Sequence, residues 1–93
     1  MIRQIMFDPR ARDEYENWKK DNAKIVVRIK ELVTDIKKNP YKGLGKPEPL
    51  KYGLQGYWSR RIDKVNRLVY QITDDKIIVL SCKHHYEKYC EKY

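Results

Sequence analysis

Long apolar runs are missing from this chain. No stretch approaches the roughly 20 residues that a membrane-spanning helix needs, so no such helix is expected. Cysteine is scarce: Cys82 and Cys90 are the two copies. They form no CxxC pair, and the two histidines, His84 and His85, are adjacent, a poor arrangement for one zinc ion. Cys82 is expected to act as a small buried hydrophobe and Cys90 as a free thiol in a tail. No metal or cofactor is expected. The N-terminal "MIRQIMFDPRARDEYE" has an apolar patch too short for a signal sequence, and acidic residues follow at once, so a cytosolic protein is expected. There is no internal repeat, low-complexity tract or linker.

Negative charge is also in short supply. Against 21 Lys and Arg stand 13 Asp and Glu, a net charge of +8 on 93 residues. That length suits one domain with a small core, which a hydrophobic fraction of 41% can fill. So large a charge suggests a polyanionic partner. Eight tyrosines and two tryptophans interleaved with the basic residues favour nucleic acid.

The apolar pattern has two periods. "IRQIMF" (residues 2–7) reads as a strand. Asp8 and Pro9 then mark a helix start, a carboxylate cap followed by a proline whose missing N–H costs nothing there. Ala11, Tyr15 and Trp18 form one face of a helix ending near Asp21. Ile25, Val26, Ile29, Leu32, Val33 and Ile36 form the stripe of a second helix. "NPYKGLGKPEP" (residues 39–49), with three prolines and two glycines, is a loop. Beyond it the period falls to two: "YWSRRID", "NRLVYQIT" and "KIIVLSC" are strands, with "TDDK" (residues 73–76) turning between the last two. The order predicts an α+β fold, an antiparallel sheet with two helices on one face and the other face open.

Alternation then sorts the arginines. If Leu68, Tyr70, Ile72 and Ile62 face the helices, Arg61 and Arg67 meet on the open face. Like charges opposed across a strand pair destabilise it. Either the two side chains swing apart into water, or they converge on a phosphate, which planar guanidinium forks suit. Arg60 is crowded into the same strands, but alternation gives it the parity of Trp58 and Ile62. The last strand runs toward His85 and Tyr86. Glu48 lies between Pro47 and Pro49, on stiff backbone that either simply braces the loop or holds a general base in place.

The blocks "GLGKPEPLKYGLQGYWSRRIDKVNRLVYQITDD" and "CKHHY" resemble the YoeB/Txe toxins of the RelE/ParE superfamily over residues 2–86. The resemblance implies a RelE-like fold, β-α-α-β-β-β with a possible further strand, in one domain of residues 1–86 followed by a short extension, residues 87–93. It implies a ribosome-dependent mRNA endoribonuclease, the toxin of a type II toxin–antitoxin pair. Its catalytic positions fall on Glu48, Arg67, His85 and Tyr86, with Lys51 and Arg61 binding RNA phosphate. The implied partners are an acidic YefM/Axe-like antitoxin that folds on binding, the ribosome with its A-site mRNA, and a homodimer or toxin–antitoxin hetero-oligomer. A gyrase-inhibiting ParE-like toxin and a non-toxic RNA-binding module are the alternatives.

Overall fold

The computed structural model describes residues 3–50 and 56–83. The order is β1 (Gln4–Phe7), α1 (Pro9–Asp21), α2 (Ala23–Lys38), β2 (Glu48–Pro49), β3 (Tyr57–Arg61), β4 (Arg67–Ile72) and β5 (Lys76–Ser81). Asp8 caps α1 as expected, its carboxylate accepting from the Ala11 N–H at 2.9 Å, with Pro9 in the first turn. Asn22 serves both helices. Its N–H closes α1 on the Trp18 carbonyl, and its side chain accepts from the Lys24 N–H at the start of α2. A single asparagine thus turns the chain from one helix into the next.

The apolar stripe of α2 lies on the sheet. Ile25, Ile29, Leu32 and Ile36 pack with Leu68, Tyr70, Ile77, Val79, Ile62 and Cys82, and α1 adds Ala11, Tyr15 and Trp18 to the same core. Cys82 is fully buried, as its small apolar character predicts. Burial, with the Glu14 carboxylate adding to it, pushes its thiol up to about 12. Glu14 also accepts from the Cys82 N–H at 2.8 Å, while the Trp18 indole donates to the Cys82 carbonyl at 2.8 Å. Both polar backbone groups at the end of β5 are therefore held by α1.

The sheet order is β1-β5-β4-β3-β2. The α+β class is as expected, but the sheet is mixed rather than antiparallel. β1 runs parallel to β5, with Gln4 opposite Lys76 and Phe7 opposite Val79. The partner of β1 is the strand most distant from it in sequence, and local alternation carries no direction for such a pairing. Parallel neighbours need a long crossover, and here most of the chain forms it. A second departure lies in the loop, whose last two residues form the short edge strand β2. Pro49 is tolerated there because an edge strand has one side without a ladder.

The β3–β4 hairpin has the register that alternation predicts, with Arg61 opposite Arg67 and Trp58 opposite Tyr70. Asp63 builds its turn by accepting from the Val65 and Asn66 N–H groups. Burial opposes ionisation of Asp63, yet these hydrogen bonds hold its carboxyl below the usual value. Between β4 and β5 the register slips. Val69 pairs with Ser81 and Tyr70 with Val79, so Leu80 is an extra residue in a bulge. Regular pairing along β5 is interrupted there.

Candidate active site

Glu48 reaches the open face through backbone pairing. In β2 it stands opposite Ser59 of β3, and the Leu50 N–H donates to the Tyr57 carbonyl at 2.9 Å just beyond. Arg67 comes to the same point from β4. Its Nη2 lies 2.7 Å from the Glu48 Oε1, a charge-assisted contact. Nε and Nη2 of Arg67 also donate to the Ser59 hydroxyl at 3.2 and 2.9 Å. The carboxylate is half exposed, at 53%, while the Arg67 side chain is 14% exposed. The open face thus offers a carboxylate to solvent on a guanidinium that the sheet holds still.

Ser59 was not among the residues that the sequence pattern singles out. It is fully buried, although it shares the face turned away from the helices, and so is Val69. That face is therefore not uniformly wet. The signal for Ser59 was its shared parity with Arg61. Its meeting with Glu48 depends on the β2–β3 register, which a loop rich in proline and glycine does not disclose.

Arg61 and Arg67 have different surroundings. Arg67 is turned toward Glu48 and Ser59, and Arg61 is exposed. Both line an open hollow of about 500 Å³ with Asp63, Lys64 and Val65. The arrangement relieves their repulsion and leaves a basic rim beside the carboxylate. Lys51, His85 and Tyr86, with the 87–93 extension, lie outside the described residues. Among the described residues no three His, Cys, Asp or Glu side chains cluster as a metal site would require.

Arg60 lies on the other face from this basic rim, as its parity with Ile62 predicts. It faces the helices, fully buried. Its Nη1 donates to Asp35 Oδ2 at 2.6 Å and to the Leu44 carbonyl at 3.2 Å. Its Nη2 donates to the carbonyls of Asn39 and Lys42 at 2.7 and 3.1 Å, and its Nε to the Tyr70 hydroxyl at 3.1 Å. That hydroxyl donates in turn to the Pro40 carbonyl at 2.7 Å. The Leu44 N–H and then the Arg60 guanidinium hold the Asp35 carboxyl below its usual value. Burial raises the Tyr70 phenol, with Arg60 pulling the other way. A buried arginine is tolerable when its N–H groups are satisfied, as here.

The model for YoeB-like toxins of bacterial type II toxin-antitoxin systems matches residues 7–86. The chain belongs to this family. It is 46% identical to Toxin YoeB of Streptomyces coelicolor over 82 residues, 88% of this chain and 98% of that protein. The solved YoeB dimer from Staphylococcus aureus superposes with a TM-score of 0.84 at 42% identity, covering 92% of this chain and all of that one. The YoeB–YefM complex from the same organism gives 0.80 at 44% identity, over 92% of this chain and all of that one. The YoeB-like fold is thus shared over the whole of these relatives, and Glu48, Ser59, Arg61 and Arg67 all lie within the matched family region.

Proposed function

We propose that this toxin is an endoribonuclease that cleaves mRNA on the ribosome by acid–base catalysis. The observation that carries the reading is the Glu48–Arg67–Ser59 cluster, a half-exposed carboxylate on a held guanidinium beside a second, exposed arginine. Glu48 takes the proton from a ribose 2′-hydroxyl. The 2′-oxygen attacks the adjacent phosphorus, and Arg67 and Arg61 stabilise the charge that builds on the phosphorane. The 5′-oxygen leaves with a proton from His85, and Tyr86 stacks on a base or orients the phosphate. Lys51 adds charge near the phosphate. The product is a 2′,3′-cyclic phosphate or the 3′-phosphate formed when it opens.

A carboxylate is a weak base for a hydroxyl, and acid–base steps supply about 10²–10⁴-fold. The rest must come from holding the RNA in line for attack, which a ribosomal A site can do. Exposed Lys19, Lys20 and Lys24, with Arg28 beside them, give the helices a basic surface for docking on rRNA in the cytoplasm.

Because YoeB–YefM complexes and a YoeB dimer are known for the Staphylococcus aureus relative, the partner proposed is an acidic antitoxin segment that orders as it binds and covers the basic rim. A homodimer is the second assembly. Primer extension on translated mRNA with purified ribosomes tests the activity. Cuts within the reading frame that weaken about 100-fold in Glu48→Gln and vanish without ribosomes support it. Intact mRNA at saturating toxin overturns it and leaves gyrase as the next target to assay.

A further inference from the structure

We propose that Arg60 is a positioning residue for the Glu48 carboxylate: from the helix side of the sheet it fastens the 39–45 loop, so that the chain enters β2 with Glu48 opposite Ser59 and against Arg67. The role given to Glu48 rests on the ribonuclease reading; the fastening does not.

Arg60 spends its five hydrogen bonds narrowly. Three go to carbonyls of one loop, at Asn39, Lys42 and Leu44, and the others to Asp35 and the Tyr70 hydroxyl. Asp35 and Tyr70 hold that loop too, through the Leu44 N–H at 2.9 Å and the Pro40 carbonyl. A planar five-donor fork is the one side chain that can gather so many acceptors; lysine has fewer donors and no fork.

The loop is shaped to fit. Gly43, at φ +129°, lies so close that an added Cβ would collide with the Asp35 carboxylate. Gly45, at φ +77°, leaves no room for a Cβ between the Arg61 carbonyl, Leu32 and the Arg60 Cβ. The Gly45 carbonyl then accepts from the Arg61 N–H at 2.7 Å. Only Lys46 and Pro47 separate this anchor from Glu48. Three consecutive residues of β3 therefore define the path. Arg60 holds the loop from below, the Arg61 backbone holds its end, and Ser59 meets Glu48 above. Core burial alone asks for none of these loop contacts, and an apolar residue at position 60 would fill the space.

The test uses Tyr70→Phe and Asp35→Asn, which loosen the fastening without removing the arginine. Each is made in the wild-type chain and in Glu48→Gln, and amide exchange is followed at Leu44, Leu50 and Arg61 with Asp8 as a distant control. The expected result is about tenfold faster exchange at these three amides with Asp8 unchanged. In ribosome-dependent cleavage kcat falls about tenfold with KM unchanged, and that fall disappears in the Glu48→Gln background. A fall that multiplies with that of Glu48→Gln overturns the proposal, because the effect then bypasses the carboxylate. So does unchanged kcat in a variant whose loop amides have loosened. If the wild-type chain cleaves nothing, the ribonuclease reading fails, and the fastening is judged by exchange alone: unchanged Leu50 and Arg61 protection overturns it.

Discussion

Arg60 and Arg67 sit on opposite faces of one hairpin, and each meets a carboxylate and a hydroxyl. Arg60 meets Asp35 and the Tyr70 hydroxyl; Arg67 meets Glu48 and the Ser59 hydroxyl. The chemistry is the same and the surroundings are not. On the helix face the guanidinium is fully buried, and backbone carbonyls take up its remaining donors. On the other face the carboxylate is half in water. A pair closed on every side can hold a loop. A pair open on one side can exchange its partner for a phosphate. Burial, not residue type, divides architecture from chemistry in this hairpin.

Exchanging each arginine for methionine separates the two roles most sharply. Arg60→Met strands the Asp35 carboxylate and several carbonyls, and should cost about 3–5 kcal/mol. For a domain of this size that lowers the melting temperature by roughly 12 °C or more. Arg67→Met removes a pair with one exposed partner and should cost no more than about 1 kcal/mol, while cleavage falls about 100-fold or more. Thermal melts and primer extension on the same two proteins give the comparison. Equal melting temperatures would erase the distinction drawn here. Next in size is Glu48→Gln, expected to melt within a few degrees of wild type and to lose about 100-fold in cleavage.

How much of this division can be read in the sequence differs between the faces. Both helices, the Asp8 cap and the Arg61–Arg67 register follow from local spacing, because caps and hairpins are made by near neighbours. Glu48 and Arg67 come together through the β2–β3 and β3–β4 pairings, and the first of these is not legible in the loop sequence. Alternation gives Arg60 the face of Ile62, but its role is illegible. Its partners, Asp35 and the Asn39–Leu44 carbonyls, lie 16 to 25 residues away. The parallel β1–β5 pair and the Leu80 bulge are illegible for the same reason: each is decided by packing between distant segments.

The buried face also carries a pH signature. The folded-state pKa of Asp35 is depressed, so its contribution to stability is present above the unfolded value of about 3.9 and is lost as the pH falls through the folded one. The gap in melting temperature between wild type and Asp35→Asn should be widest near neutral pH and close below about pH 4. At the other extreme the Cys82 thiol, raised to about 12, contributes stability that is complete below its unfolded value of about 8.5. That contribution is lost as the pH climbs through 12. Cys82→Ala should therefore flatten part of the alkaline decline. Tyr70 keeps the remainder, its shift having the same sign. Melts of the three proteins from pH 3 to 11 check both limbs, and parallel curves would refute both assignments.

The smallest effect is expected where the two regions join. Lys46 follows the fastened loop, precedes Pro47 and Glu48, and holds a left-handed backbone at φ 53°. For a residue with a Cβ that conformation costs about 1–2 kcal/mol. Glycine would relieve the strain but costs about 0.5–1 kcal/mol in the entropy of the unfolded chain. Lys46→Gly should thus melt within a few degrees of wild type. A β-branched residue tolerates the conformation worse, so Lys46→Val should melt lower by roughly 4–8 °C, about 1 kcal/mol. Cleavage should rank the other way. Glycine frees the two-residue link between the Gly45–Arg61 anchor and Glu48, and kcat should fall a few-fold although the fold is intact. Valine, where it folds, keeps the link stiff and should retain more of the rate. If both variants cleave in proportion to their stability, the link is only a connection, and Glu48 is placed by its pairing with Ser59 alone.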